Sequence, residues 1–236
     1  MIWNWVDVSI DRVKAYMRQL DTGRVAAVDP PKLVDRRKTA AQAHGDEGQW
    51  KVKPRTWANT RGICLHQTAC LLGERPARWD HVGAHIGITR MGQVMWLHDF
   101  NKIVAHGNGW NNQTVGIEID GLYAGIDGDE STVWDDPSTP QRERGMILTS
   151  EAVEASWNVI RWICERTAEN DGHIRVLGAH RQSSKDRRND PGSAIWKQIA
   201  LPMQGELGLS DGGRGFHIGG YPIPEHWDTA KKGISY

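Results

Sequence analysis

His66, His180 and Asp190 are residues whose types and placement could do chemistry. His66 ends the apolar run Gly62-Ile63-Cys64-Leu65, His180 follows a second short run, Val176-Leu177-Gly178-Ala179, and Asp190 opens Asp190-Pro191-Gly192 ten residues later. Each stands at an element boundary, where a side chain can leave the core and reach a shared cleft. Two neutral imidazoles and a carboxylate suit Zn²⁺, and three protein ligands leave a fourth position for water, which marks a catalytic rather than a structural site. The competing reading makes the histidines satisfied core residues and Asp190 the start of a turn; three such residues together weigh against it.

The elements that must position these residues can be read from apolar periodicity. Ile63, Cys64 and Leu65 predict a buried strand that delivers His66, and a strand over 174–177 leads to His180. Residues 84–89 and 93–97 alternate around Arg90-Met91-Gly92, a hairpin loop ending in glycine. A strand over 114–119 puts Val115, Ile117 and Ile119 on one face and Gly116, Glu118 and Asp120 on the other. Thr149 or Ser150 caps a helix whose apolar stripe is Val153, Trp157, Ile160 and Cys164, and Asn170-Asp171-Gly172 stops it. Further helices are expected over 9–20, briefly over 76–82, and over 193–203. Strands interleaved with helices and at least one hairpin predict an α/β fold with a mixed central sheet flanked by helices. The polar segment 24–55 reads as a linker, 121–147 as a long acidic loop or insertion, and the glycine-rich 205–236 as a tail. The expected organisation is an N-terminal extension over 1–55, a catalytic domain over 56–204 and a C-terminal tail over 205–236.

Composition narrows the function classes. The 236 residues carry 29 Lys+Arg against 29 Asp+Glu, so no bulk field favours nucleic acid or anionic lipid. No apolar run approaches the roughly 18 residues of a membrane span. The start lacks the basic head and apolar middle of a signal peptide, which predicts synthesis in the cytoplasm. The three cysteines, Cys64, Cys70 and Cys164, form no CxxC pair, which argues against a disulfide framework or a cysteine-ligated zinc module. A Cys-His nucleophilic site using Cys70 is the minor alternative. Of twelve tryptophans, Trp79 and Trp110 fall in loops flanking the candidate site, where an indole face could stack on a sugar ring; burial in the core is the competing reading.

Five strings together carry a family resemblance: Gly62-Ile63-Cys64-Leu65-His66-Gln67-Thr68-Ala69; Val82-Gly83-Ala84-His85-Ile86; Val104-Ala105-His106-Gly107; Asn112-Gln113-Thr114-Val115-Gly116-Ile117-Glu118; and Gly178-Ala179-His180 through Asp190-Pro191-Gly192. In this order, over residues 57–203, the chain resembles the zinc-dependent type-2 N-acetylmuramoyl-L-alanine amidases, which share a fold with peptidoglycan recognition proteins. The resemblance implies that His66, His180 and Asp190 ligate zinc and that Glu118 is the carboxylate beside the attacking water. Arg188 stands where relatives carry a lysine that stabilises the oxyanion, with Lys185 or Arg187 as alternative sources of that charge. Ala84 stands where some phage relatives carry a catalytic tyrosine, which shifts the burden to Glu118. His85 and His106 match family histidines with substrate-binding or ligand-supporting roles.

The implied activity is hydrolysis of the amide between N-acetylmuramic acid and L-alanine in peptidoglycan or a muropeptide, by a chain expected to be a monomer. The setting expected is that of a phage-type endolysin acting on the cell wall. A cytoplasmic muropeptide-recycling amidase, a non-catalytic peptidoglycan-binding module, and a virion or effector component are the rivals.

Overall fold

The computed structural model describes residues 33–45, 48–133, 145–212 and 216–231. The helix expected over 9–20 lies outside them. Six strands form one mixed sheet in the order β1 (Leu33–Asp35), β7 (Val94–Trp96), β6 (Ile86–Ile88), β9 (Thr114–Ile119), β5 (Gly62–Gln67) and β10 (Val176–Ala179). Only the hairpin β6–β7 pairs antiparallel; the other neighbours run parallel. Two short ribbons join β2 (Ala43–His44) to β3 (Trp50–Lys51) and β4 (Lys53–Pro54) to β8 (Lys102–Ile103). The hairpin turns as its sequence requires, with Gly92 at φ 76°, in the left-handed region that glycine enters without strain.

One face of the sheet carries Ile63, Leu65, Ile86, Ile88, Val115, Ile117, Ile119 and Leu177, all fully buried. Against it pack helix α1 (Ser150–Ala168) and a continuous helical segment made of α3 (Ser193–Ile195), a π turn (Trp196–Ala200) and α4 (Leu201–Leu207). Thr149 caps α1 by accepting from Ala152 N–H at 3.3 Å, and its hydroxyl donates to Arg90 O at 2.6 Å, which ties the helix start to the hairpin. The buried face of α1 is Ala152, Val153, Ser156, Val159, Ile160 and Ile163. The expected stripe was therefore rotated by about a residue: Trp157 and Cys164 lie at its margin, only partly buried. The π turn has a local cause. Pro202 has no N–H to give to Gln198 O, and the indole Nε1 of Trp157 donates there instead at 3.0 Å. Arg161 of α1 and Glu206 of α4 then close the pair with two parallel bonds of 2.6 and 2.8 Å.

The opposite face is built for rings. Gly178, Cys64 and Gly116 lie in register across β10, β5 and β9, and Gly87 lies in register with Glu118. The indole of Trp110 rests on Gly178, the imidazole of His106 on Gly116 and the indole of Trp79 on Gly87, each where a Cβ would stand. Absent side chains make the room for a layer of flat rings beneath the candidate site.

The described parts of the segments expected as linker and tail are worked into this body. β1 extends the sheet at its β7 edge. The buried guanidinium of Arg55 donates to the carbonyls of Phe100, Asn111 and Thr114. At the other end Phe216 packs edge-on against Trp110, and Ile223 and Trp227 enter the main core, with Trp227 against Trp196. Among the described residues no helix is long and apolar enough to cross a membrane.

Gly178→Ala would place a Cβ 2.5 Å from Cζ3 of Trp110. We expect a loss of about 1–3 kcal/mol, the usual cost of overpacking, in urea denaturation. Unchanged stability would mean that the ring layer yields without cost.

Candidate metal centre

The parallel register brings the site together at one edge of the sheet. His66 on β5 stands directly opposite Glu118 on β9, and His180 follows β10, the strand on the other side of β5. Asp190 returns from the loop after α2 (His180–Ser183). Clefts beyond the carboxyl ends of parallel strands are where α/β sheets usually bind ligands. Here the cleft has a volume of about 360 Å³, and its lining includes His106, Glu118, His180, Arg187, Asn189 and Asp190. His66 Nδ1 lies 2.9 Å from His180 Nδ1, and Asp190 Oδ2 lies 2.9 Å from His180 Nδ1 and 3.8 Å from His66 Nδ1.

Hydrogen-bond partners assign the tautomers. Asn108 Oδ1, which only accepts, lies 2.7 Å from His180 Nε2, so that nitrogen carries the proton. His66 Nε2 lies 3.1 Å from His106 Nδ1. His106 Nε2 donates to Thr114 O at 3.2 Å, which leaves His106 Nδ1 to accept from His66. Both ligand candidates thus turn a bare Nδ1 toward Asp190 Oδ2. Three lone pairs converging this closely call for a shared proton or a cation, and two neutral imidazoles with a carboxylate fit a divalent metal. The second oxygen of Asp190 is occupied by Gln67 N–H at 3.0 Å, which orients the carboxylate.

Burial shapes the charges. It pushes His66 down to about 4, helped by His180 and opposed by Asp190, so His66 is a neutral donor at ordinary pH. Burial would raise Asp190, but its close contacts with His180 and His66 outweigh it and hold the carboxyl below its usual range. Glu118 moves the other way. Burial and the neighbouring Asp190 push it well above the carboxylate range, with Arg187 pulling it back. Its Oε1 is 4.0 Å from His66 Nδ1, and its Oε2 has no hydrogen-bond partner among the described residues. A buried carboxylate oxygen without a partner, at the wall of a cleft, is placed to take up a proton.

A second group, Cys64, His66 and His106, also brings ligand atoms together on the Nε2 side of His66. All three residues are buried, and burial, Asp190 and Glu118 together push the Cys64 thiol well up. That side disfavours the thiolate a metal needs, whereas the Nδ1 side opens on the cleft.

Other expected site residues fall elsewhere. Trp79 and Trp110 are 0% and 1% exposed, and their indole N–H groups donate to Gly73 O and His217 O, each at 2.9 Å. They form the ring layer on the glycines and cannot stack on a sugar in the cleft. His85 is fully buried, with Nδ1 accepting from Gly116 N–H and Nε2 donating to Lys102 O; both nitrogens are engaged and no substrate contact remains to it. Arg188 lies with its guanidinium 5.5 Å from the ring centre of Tyr221, while Arg187 lines the cleft. Cys70 is exposed, with its thiol raised by partial burial and by Asp120, the reverse of an activated nucleophile. Sequence reasoning passed over Asn108, whose φ of 51° is left-handed, and Gln67, whose amide spans Tyr123 O and Asn189 O. The Asn108-Gly109 pair following His106-Gly107 was the available signal for a tight turn at the site.

The family model for N-acetylmuramoyl-L-alanine amidase matches residues 56–193, more than half the chain. No curated protein matches it. Among solved structures, the endolysin N-acetylmuramoyl-L-alanine amidase LysCS from Clostridium intestinale is similar with a TM-score of 0.51 at 15% identity, over 78% of this chain and 100% of that one. The N-acetylmuramoyl-L-alanine amidase LysC from the same organism gives 0.50 at 15%, over 76% and 99%. At these identities the likeness establishes the fold, a mixed central sheet flanked by helices.

Asn108 joins backbone strain to a bond with His180. Asn108→Ala should cost about 1–3 kcal/mol in denaturation, from the lost acceptor and a left-handed φ without asparagine's tolerance for it. Asn108→Gly, which relieves the strain, should cost less. Equal losses would assign the whole effect to the hydrogen bond.

Proposed function

Since this chain belongs to the N-acetylmuramoyl-L-alanine amidase family, we propose that it hydrolyses the amide between the lactyl group of N-acetylmuramic acid and L-alanine of the stem peptide, with zinc held by His66, His180 and Asp190. The observation that carries the reading is the convergence of two bare imidazole nitrogens and a carboxylate oxygen beside the unpartnered Oε2 of Glu118. A module that only grips peptidoglycan needs neither the ligand set nor an orphaned carboxylate next to it.

Bound at this site, zinc would supply Lewis acidity, polarising the scissile carbonyl and making water a better nucleophile at neutral pH. Glu118 Oε2 takes the proton of the attacking water as the new C–O bond forms. As the C–N bond breaks, Glu118 returns that proton to the alanine nitrogen, which leaves as an amine, and the lactyl carboxylic acid that forms gives its remaining proton to solvent. Arg187, at the cleft wall, offers positive charge to the oxygen on which negative charge develops. Arg188 has its guanidinium over the Tyr221 ring and is not among the residues lining the cleft. An endolysin-type role on intact cell wall agrees with the likeness to LysCS.

Mass spectrometry of digested peptidoglycan should show new L-alanine amino termini, lost on chelation and restored by zinc. Cleavage of soluble muropeptides alone would favour the recycling role, and cleavage of another bond would overturn the reading. Metal analysis should find about one zinc per chain, sharply reduced in His66→Ala and His180→Ala. Glu118→Gln should keep its zinc and lose on the order of a hundredfold or more in turnover. Arg187→Ala should lose roughly ten- to a thousandfold, with Arg188→Ala close to the parent. The reverse order for the two arginines would return the charge to Arg188.

A further inference from the structure

We propose that His106 is a positioning residue for His66: it holds that ring as the Nε2–H tautomer and so presents the bare Nδ1 to the cleft. The inference rests on the reading of His66 as a metal ligand.

A line of hydrogen bonds, each fixed by the one before, runs from Thr114 through His106 to His66. A backbone carbonyl can only accept, so the nitrogen of His106 that lies 3.2 Å from Thr114 O carries a proton. The other nitrogen of a neutral His106 can only accept, and it lies 3.1 Å from His66 Nε2, which must then donate. His66, neutral in turn, has nothing on Nδ1, the atom that faces His180 Nδ1 at 2.9 Å. Reversing the bond between the two rings would leave His106 Nε2 bare against Thr114 O, one acceptor facing another.

The line is anchored at both ends. Arg55 Nη1 donates to the same Thr114 carbonyl at 2.8 Å, so the acceptor on which the sequence of protons depends is itself pinned by a fixed cation. The backbone around His106 is held by Asn111 Oδ1, which accepts from His106 N–H at 2.9 Å and Gly107 N–H at 2.6 Å. The ring lies on Gly116, where a Cβ would come within 2.6 Å of its Cγ. The Arg55 guanidinium that shares the Thr114 carbonyl sets a fixed positive charge one hydrogen bond away from the His106 ring. Arg55 stands one residue before the segment that the family model matches, so this anchor comes from outside it. His106 borders the cleft, but with both ring nitrogens engaged its work is on His66 rather than on substrate.

The test reads the proton and the metal, not turnover. In metal-free protein, ¹⁵N-resolved NMR of the histidine rings should show His66 protonated at Nε2. His106→Leu fills the space without relaying a hydrogen bond, and should leave His66 a mixture of tautomers and weaken zinc binding, measured by competition with a chromogenic chelator, on the order of 10- to 100-fold. His106→Gln, whose amide can both accept from His66 and donate to Thr114 O, should recover much of that affinity; a purely space-filling role would give Leu and Gln the same result. His66 protonated at Nδ1 in the parent protein overturns the proposal, and needs no variant to fold. So does undiminished zinc affinity in a folded His106→Leu. Failure of the amidase reading would appear separately, as absent cleavage by a protein that still binds zinc and shows the expected tautomer.

Discussion

The site depends on the register between two parallel strands. Pairing His66 with Glu118 across β5 and β9 sets a metal-ligand candidate and a candidate general base side by side on one face, with Cys64 and Gly116 in the row behind. Side chains alternate along a strand, so a slip of one residue would bury His66 among the isoleucines of the helix-facing side and turn Leu65 into the cleft. The apolar face prevents this. Ile63, Leu65, Val115, Ile117 and Ile119 are all fully buried against α1 and the segment 193–207, and the energetics of that core fix which residues point the other way. The chemistry of one face is thus enforced by the hydrophobicity of the other.

On the cleft side the organising problem is electrostatic. The histidines must stay neutral and the carboxylates must divide their roles. Burial does most of this: it holds His66 and His106 below their ordinary range and lifts Glu118, while the close contacts of Asp190 with His180 and His66 keep that carboxylate below its usual range. Two carboxyl groups in one cleft are thereby driven apart, one toward a permanent anion and the other toward a group that can exchange a proton. Environments that separate paired acids in this way commonly assign a ligand and a base their parts.

Much of this was legible in the sequence because it rests on period and position. The alternation of 114–119 placed Glu118 opposite Ile117 and Ile119, and the two short apolar runs ending at His66 and His180 marked the strands that deliver them. Residues whose roles depend on tertiary neighbours were less legible. Trp79 and Trp110 sit in irregular segments, and only the glycines beneath them, on strands distant in sequence, show that the rings pack against the sheet. Arg187 and Arg188 are adjacent, and one turn of 3₁₀ helix decides which reaches the cleft and which reaches Tyr221. The burial of Arg55 is satisfied by three backbone carbonyls, and carbonyls leave no mark in a sequence. The stripe on α1 went astray because tryptophan and cysteine at 157 and 164 look more apolar than the alanine and serine at 152 and 156 that the helix buries.

The insertion of Ile223 and Trp227 into the core has a consequence for how this domain can travel between proteins. A module that recombines freely closes its own interior, so that whatever is fused to it touches only its surface. Here Trp227 lies against Trp196 and under Arg181, whose guanidinium is 4.6 Å from the indole, and Arg181 is the residue next to His180. Transplanting the stretch 56–193 alone would leave behind a wall of its own interior and uncover the segment beside His180. Inheritance of this site is therefore bound to inheritance of its flanks, and shuffling at the edges of the family-matched segment would cut through the core rather than between parts.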